Sequence, residues 1–261
     1  MRRWLVILSL LLPGLLAWAD DAVSVTTKDL KNEGRAYLSA GVSYKPVKGL
    51  SLDLEEQFRL KENFTQVDRF NTDASISYKV CPYFRLGASY RFMAVLGESD
   101  DDEASAWQLR HRASFFVAGT YAVGRWHLSL REKFQATWRD TSVTNLREKA
   151  VPALCLRTRF KVEYHAFSKP IQPYFSVELY SPLNQTDYLR EAEKVSAYRH
   201  WAFNQLATCI GLQWRIDAHN FMDFYYEMDA TRRVDVGTKS GKIRITPQLD
   251  HIVGIAYCYR F

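Results

Sequence analysis

Apolar and polar residues alternate one by one through many segments of this 261-residue chain. In Phe70–Val80, for example, the residues between the alternating Phe, Thr, Ala, Ile, Tyr and Val are Asn, Asp, Ser, Ser and Lys. Two further segments, Trp126–Trp138 and Leu154–Tyr164, alternate in a similar way. Side chains two residues apart share one face of a β-strand, whereas in an α-helix this period scatters them around the circumference. The pattern therefore predicts β-strands with one apolar and one polar face.

The predicted strands are long. Strands of soluble sheets usually have about five or six residues, whereas a strand that crosses a membrane needs about 9–11. The segments that show the pattern are 36–45, 50–61, 69–80, 84–95, 107–121, 126–139, 153–167, 173–181, 199–215, 221–230 and 249–261. Their lengths favour an all-β fold, a transmembrane antiparallel up-and-down β-barrel.

The connections between these segments alternate between short and long. Lys45–Gly49 is a short one, and Asp140–Pro152 and Thr231–Pro247 are long ones. Short periplasmic turns and longer outer loops are typical of outer-membrane barrels, which in bacteria usually have an even number of strands. An additional ascending strand near Ala22–Thr27, followed by an outer loop at 28–35, gives twelve strands and a periplasmic N-terminus. A ten-stranded barrel, with the first segment outside the wall, is the alternative.

The N-terminus has the three parts of a secretory signal peptide in the required order. Met1-Arg2-Arg3 is basic, Trp4–Trp18 is almost wholly apolar, and Ala17-Trp18-Ala19 is a small-x-small cleavage pattern. A transmembrane helix needs about 20 apolar residues, and this run is shorter and contains Pro13-Gly14. The sequence predicts a cleaved signal peptide at residues 1–19, a barrel domain at 20–261, and a location in the outer membrane of a Gram-negative cell.

The last strand has apolar or aromatic residues at alternate positions. They are Val253, Ile255, Tyr257, Tyr259 and the final residue, Phe261. This end resembles the C-terminal signal that outer-membrane proteins present to their barrel-assembly machinery. The resemblance implies that this machinery and the outer-membrane lipid are partners of the chain.

Four segments resemble an uncharacterised family of outer-membrane barrels known only as a domain of unknown function. The segments are LSLDLEEQFR (Leu50–Arg59), WHLSLREKF (Trp126–Phe134), PYFSVEL (Pro173–Leu179) and HIVGIAYCYRF (His251–Phe261). The resemblance covers the mature chain and implies fold and location, but no activity.

If the apolar face lies outward, the remaining face carries many charges into the lumen. The predicted basic lining residues are Arg85, Arg91, Arg110, Arg112, Arg131, Lys133, Arg157 and Arg159. The predicted acidic lining residues are Asp53, Asp223, Glu227 and Asp229. In a barrel of twelve strands the two sets lie on opposite walls.

Two interpretations of this lumen remain open. In the first, the barrel is a narrow porin-like channel whose basic wall attracts small anionic solutes. In the second, the opposed charges pair and fill a non-conducting structural or surface-interaction barrel. The net charge of +6 does not indicate nucleic-acid binding, because no basic helix or recognised nucleic-acid module accompanies it. The oligomeric state is left open.

A lipid-active enzyme is the third hypothesis. His127 and Ser129 have the His-x-Ser spacing of outer-membrane phospholipases, but they lie on the polar inner face and no residue nearby is suited to orient the base. The sequence predicts no catalytic residues and no cofactor. It predicts no metal site either, because the four cysteines Cys81, Cys155, Cys209 and Cys258 do not have the spacing of metal ligands.

Two acids conflict with the predicted register. Glu56 and Glu132 fall on the apolar face, where a carboxylate in contact with lipid is costly. Either a β-bulge rotates them inward, or each has a partner on a neighbouring strand.

Overall fold

The computed structural model describes residues 25–97, 107–139, 152–165, 170–184, 203–236 and 243–261, and it contains long β-strands. The strands are β1 (Val25–Thr27), β2 (Lys31–Tyr44), β3 (Leu50–Lys61), β4 (Gln66–Cys81), β5 (Phe84–Leu96), β6 (Trp107–Val123), β7 (Trp126–Arg139), β8 (Ala153–Tyr164), β9 (Ile171–Pro182), β10 (Gln205–Arg215), β11 (Asn220–Val236) and β12 (Ile243–Arg260). The predicted signal peptide and most of the acidic loop at 97–106 lie outside the described residues. No helix in the described ranges is long and apolar enough to cross a membrane.

The strands form one closed sheet. From β2 to β12 each strand pairs with the next along the chain, and β12 returns to pair with β2. The neighbours within this series are antiparallel, but the closing pair is parallel, with Ile255 opposite Leu38. Eleven strands therefore form the wall of the barrel.

The described residues contain the predicted total of twelve strands, but eleven form the wall and the first lies outside it. β1 does not cross the barrel before β2. It pairs with the start of β12, where Val25 lies opposite Ile243. β2 pairs with the same edge of β12 further along the strand. The predicted outer loop at 28–35 is wrong in its second half, since β2 begins at Lys31. The fully antiparallel closure is wrong at this one seam, because an odd number of wall strands brings the first and the last into the same direction.

The predicted long connection Thr231–Pro247 is also shorter in the structure. β11 continues to Val236 and β12 begins at Ile243. The connection β3–β4 is a tight turn in which Glu62, Asn63 and Phe64 all have positive φ. Such angles are uncommon outside glycine, and two hydrogen bonds to Gly34 anchor this turn: the amide of Asn63 donates to its carbonyl, and the amide of Gly34 donates to Oδ1 of Asn63.

The outer face of the barrel is apolar and has aromatic residues near both ends. Leu54, Ile76 and Phe115 are among its exposed side chains. At the end with the short turns, aromatic contacts include Tyr44 with Phe261, Tyr83 with Tyr121, and Trp126 with Tyr164. At the opposite end Phe70 lies between Phe58 and Trp107. The polar side chains of the alternation point to the inside.

Candidate functional site in the barrel lumen

Inward side chains from all eleven wall strands line a polar cavity of about 760 Å³. Ligand pockets in proteins commonly measure about 300–1,000 Å³. The strands bring these side chains together because residues two apart share a face. The cavity is therefore large enough for a small polar solute.

Five of the nine cations that line the cavity form a salt bridge among the described residues. Nε of Arg91 lies 2.6 Å from Asp73, and Glu178 accepts hydrogen bonds from Arg131 at 3.1 Å and Arg157 at 2.7 Å. Glu178 is buried, so a single carboxylate from β9 neutralises part of the cationic surface of β7 and β8. These pairs hold neighbouring strands in register and fill part of the lumen.

Arg112 and Lys133 differ from these cations. Both line the cavity. Nε of Arg112 donates to Oγ1 of Thr137 at 3.0 Å, and among the described residues neither cation forms a salt bridge. The groups that act most strongly on Arg112 include Arg91 and Arg157, which are also cationic. A patch of positive charge without a salt-bridge partner among the described residues therefore lies on β6 and β7.

The opposite wall is acidic. Glu227 and Asp229 of β11 line the same cavity. Asp229 accepts hydrogen bonds from the neutral side chains of Gln205 and Thr231, and in the described ranges Glu227 has neither a hydrogen bond nor a salt bridge. Asp223, on the same strand, accepts a hydrogen bond from the Tyr174 hydroxyl at 3.1 Å. The acids of β11 that line the cavity therefore form no salt bridge among the described residues.

Cations also lie over tyrosine rings inside the barrel. Arg59 lies 4.1 Å from the ring centroid of Tyr37, and Arg157 lies 4.3 Å from that of Tyr180. Lys161 lies 4.0 Å from the ring centroid of Tyr174. The negative face of an aromatic ring attracts a cation, so these contacts hold long, flexible side chains against the wall.

The predicted lining residues divide into two groups in the structure. Arg91, Arg112, Arg131, Lys133, Arg157, Arg159, Asp223, Glu227 and Asp229 line the cavity. Arg85, Arg110 and Asp53 are not among its lining residues. Arg85 is exposed near the short β4–β5 turn, Asp53 accepts hydrogen bonds from Ser51 and Ser75, and Arg110 donates to Gln108.

Sequence reasoning missed several lining residues. They include Arg35, Tyr37, Arg59, Arg69, Tyr174, Tyr180 and Tyr225. The alternation contained the signal for two of them, since Arg59 follows Glu55 and Gln57 on the polar side of β3 and Tyr174 precedes the outward Phe175. The inward tyrosines were overlooked because aromatic residues were assigned to the outer face as a class.

The residues of the C-terminal motif lie at the end of β12. Phe261 contacts the rings of Tyr44 and Tyr259, and its amide donates to the carbonyl of Ser43 at 2.9 Å. The hydroxyl of Tyr257 donates to Asn220. These contacts tie the last residues to strands on both sides, β2 and β11. The recognition of this motif by assembly machinery stays a prediction.

His127, whose spacing from Ser129 the third hypothesis uses, lies against a second histidine. Its ring stacks on that of His165 with centroids 3.8 Å apart, and in the described part of the chain no hydrogen bond joins it to Ser129. Burial and the neighbouring His127 lower the pKa of His165. All four cysteines are free thiols, and no cluster of three potential metal ligands occurs among the described residues.

One short turn outside the wall is held by a charged carboxylate. Asp217 accepts hydrogen bonds from the amides of His219 and Asn220 and from the Asn220 side chain. These donors lower the pKa of Asp217 below its ordinary value. The β10–β11 connection is thus a capped turn, which fixes the register of the two strands.

Comparison with known proteins identifies the family. A family described as "Protein of unknown function (DUF2490)" matches residues 34–236, which is more than half of the chain. The chain belongs to this family. The DUF2490 match begins in β2 and ends with the last residue of β11.

Among solved structures, the DUF2490 chain is similar to "NanC porin structure in rhombohedral crystal form". The TM-score is 0.44 and the sequence identity 14%, and the alignment covers 80% of this chain and 92% of that chain. No curated protein sequence matches the chain.

Proposed function

We propose that this DUF2490 protein is an outer-membrane channel whose basic lumen wall attracts small anionic solutes. The observation that carries the proposal is the pair Arg112 and Lys133, which face a cavity of about 760 Å³ without an acidic partner among the described residues. A lumen that served only as a packed core would leave these charges buried and unpaired, which is strongly destabilising. In an open lumen, water solvates these charges, so they do not destabilise the barrel in this way.

The outer surface supports a membrane location. Many large apolar side chains are exposed on the wall, and aromatic residues gather at both ends of the barrel. An apolar band between two aromatic girdles is the pattern of transmembrane barrels. A closed barrel has no open edge, so its backbone hydrogen bonds can be satisfied within lipid.

The width of the barrel supports a narrow channel. Barrels of about eight strands are filled by side chains, and those of about 16–18 leave a wide aqueous channel. Eleven wall strands lie between these limits. In such a lumen a patch of positive charge raises the local concentration of anions and sets the selectivity of conduction.

The test is conductance of the refolded full-length protein in a planar bilayer, with reversal potentials under a potassium chloride gradient. We expect stable steps with a preference for chloride. The double variant Arg112→Gln/Lys133→Gln should lower this preference, roughly threefold or more in the permeability ratio, because about two local charges are lost. These two positions are better targets than Arg131 or Arg157, since the loss of either arginine would also remove one of the two cations that pair with Glu178.

Arg85→Gln is the matched control, since this arginine lies outside the cavity lining and should leave the selectivity unchanged. A folded barrel that stays electrically silent contradicts the proposal. In that case the non-conducting structural or surface-interaction barrel becomes the function to pursue.

A further inference from the structure

The hydrogen-bonded register shows which residues face each other across the lumen. From Arg112 on β6, the ladder runs through β5, β4, β3, β2 and β12 and reaches Phe221, near the start of β11. From Lys133 on β7, the ladder in the other direction runs through β8, β9 and β10 and reaches Thr231, further along β11. Strands in a barrel are tilted relative to its axis, so hydrogen-bonded partners shift along the axis from one strand to the next. The residues of β11 that lie at the same depth as Arg112 and Lys133 are therefore between Phe221 and Thr231.

Glu227 and Asp229 lie in that interval of β11. β6 and β11 are also on opposite sides of the wall, since four strands separate them in one direction and five in the other. Arg112 and Lys133 thus face Glu227 and Asp229 across the cavity at a similar depth, and none of the four forms a salt bridge among the described residues.

This opposition is independent of the paired charges around it. Glu178 binds Arg131 and Arg157, and Asp73 binds Arg91, so those groups satisfy one another within the wall. The four opposed residues have no such charged partner among the residues that the structure describes. Arg112 and Lys133 form a positive pole of the cavity, and Glu227 and Asp229 form a negative pole on the opposite wall.

We infer that the lumen selects zwitterionic solutes, which carry a carboxylate and an ammonium group on one small molecule. The inference rests on the proposed channel and restricts its favoured solutes to those that carry a cationic group as well as the anionic group that the basic wall attracts. A simple anion gains attraction from the cationic wall and meets repulsion from the acidic wall. A zwitterion aligned across the lumen satisfies both, since its carboxylate faces Arg112 and Lys133 and its ammonium faces Glu227 and Asp229.

The experiment compares three linear probes of the same carbon number. They are 6-aminohexanoate (zwitterion), adipate (dianion) and 1,6-diaminohexane (dication). Their radiolabelled uptake is measured in proteoliposomes that contain the refolded full-length protein, at tracer concentration and in symmetrical salt. We expect 6-aminohexanoate to enter faster than either of the others.

Two variants test the poles separately. Glu227→Gln/Asp229→Asn should lower the ratio of 6-aminohexanoate to adipate uptake by roughly tenfold, the equivalent of about 1.4 kcal/mol. Arg112→Gln/Lys133→Gln should instead lower the ratio of 6-aminohexanoate to diaminohexane uptake. Asp53→Asn is the control for the acidic pole, because this acid lies on the inner face but outside the cavity lining.

The outcomes separate this inference from the channel itself. A barrel that takes up none of the probes and carries no current contradicts both. A conducting barrel that takes up adipate at least as fast as 6-aminohexanoate, or whose ratio is unchanged in Glu227→Gln/Asp229→Asn, overturns the zwitterion selectivity and leaves the anion channel standing.

Discussion

Each of the two acids on the outer face has a partner on the next strand. Oε2 of Glu132 accepts a hydrogen bond from the Thr158 hydroxyl at 2.8 Å, and Oε2 of Glu56 accepts one from the Thr72 hydroxyl at 2.9 Å. The bulge between β3 and β4 occurs at Arg59 and does not rotate Glu56 inward. Of the two explanations that the sequence left open, the neighbouring partner is therefore confirmed. A hydroxyl donor stabilises a carboxyl that would otherwise meet lipid without a hydrogen bond.

A double-mutant cycle measures this contact. Thr158→Val should lower the free energy of unfolding by about 1–3 kcal/mol, because it leaves the Glu132 carboxyl without this donor. In the background Glu132→Leu the same change should cost almost nothing. The measurement is urea-induced unfolding from phospholipid vesicles. An equal cost in both backgrounds would show that the hydrogen bond does not stabilise the barrel.

At the level of the strands, large inward aromatic rings lie over glycines of the adjacent strand. The ring of Tyr174 on β9 covers Gly211 of β10, and the ring of Tyr225 on β11 covers Gly254 of β12. A Cβ atom at either glycine would overlap the ring. The absence of a side chain thus lets each tyrosine lie close against the wall.

Gly211→Ala tests this packing. The new methyl group should push the Tyr174 ring off the wall and lower the free energy of unfolding by about 1–3 kcal/mol, as is usual for overpacked sites. Gly119→Ala is the matched control, because a Cβ there meets no atom within 4 Å. If the two variants unfold at the same urea concentration, the close approach at Gly211 has no energetic role.

For the whole molecule, the decisive feature is the parallel seam between β2 and β12. Arg35 of β2 binds Asp250 of β12 with Nε 3.1 Å from the carboxylate, and it also contacts Glu33 at 3.4 Å and Asp68 of β4 at 3.8 Å. These side chains are buried. One arginine thus links the two end strands to a third strand and stabilises the closure, since breaking a buried charge network is costly.

A disulfide across the seam distinguishes this closure from a fully antiparallel one. Ser39 and Ala256 are direct partners in the parallel register, so Ser39→Cys/Ala256→Cys should form a disulfide, seen as a mobility shift on non-reducing gels. Ser39→Cys alone is the control, because native Cys258 is two residues out of register and beyond the ~7 Å Cα separation that a disulfide allows. If β1 lay between β2 and β12, the double variant would not cross-link either.

The local pattern determined the class of fold and the face of most charged side chains. Alternation such as that of Phe70–Val80 acts through neighbours two residues apart, so it can be recognised from the sequence alone. It also places Arg112 and Glu227 on the polar face. The pattern contains no information on which distant strands meet, because pairing of β2 with β12 depends on how the whole sheet closes.

Only the tertiary structure decided the parallel seam, the place of β1 and the state of each charge in the lumen. Glu178 neutralises Arg131 and Arg157 because the strand register brings these side chains within hydrogen-bonding distance. Arg112 and Lys133 are the same kinds of residue in the sequence, but their register offers them no acid among the described residues. A charge in a barrel acts on a solute only when its neighbours leave it uncompensated, and those neighbours come from strands far away in the chain.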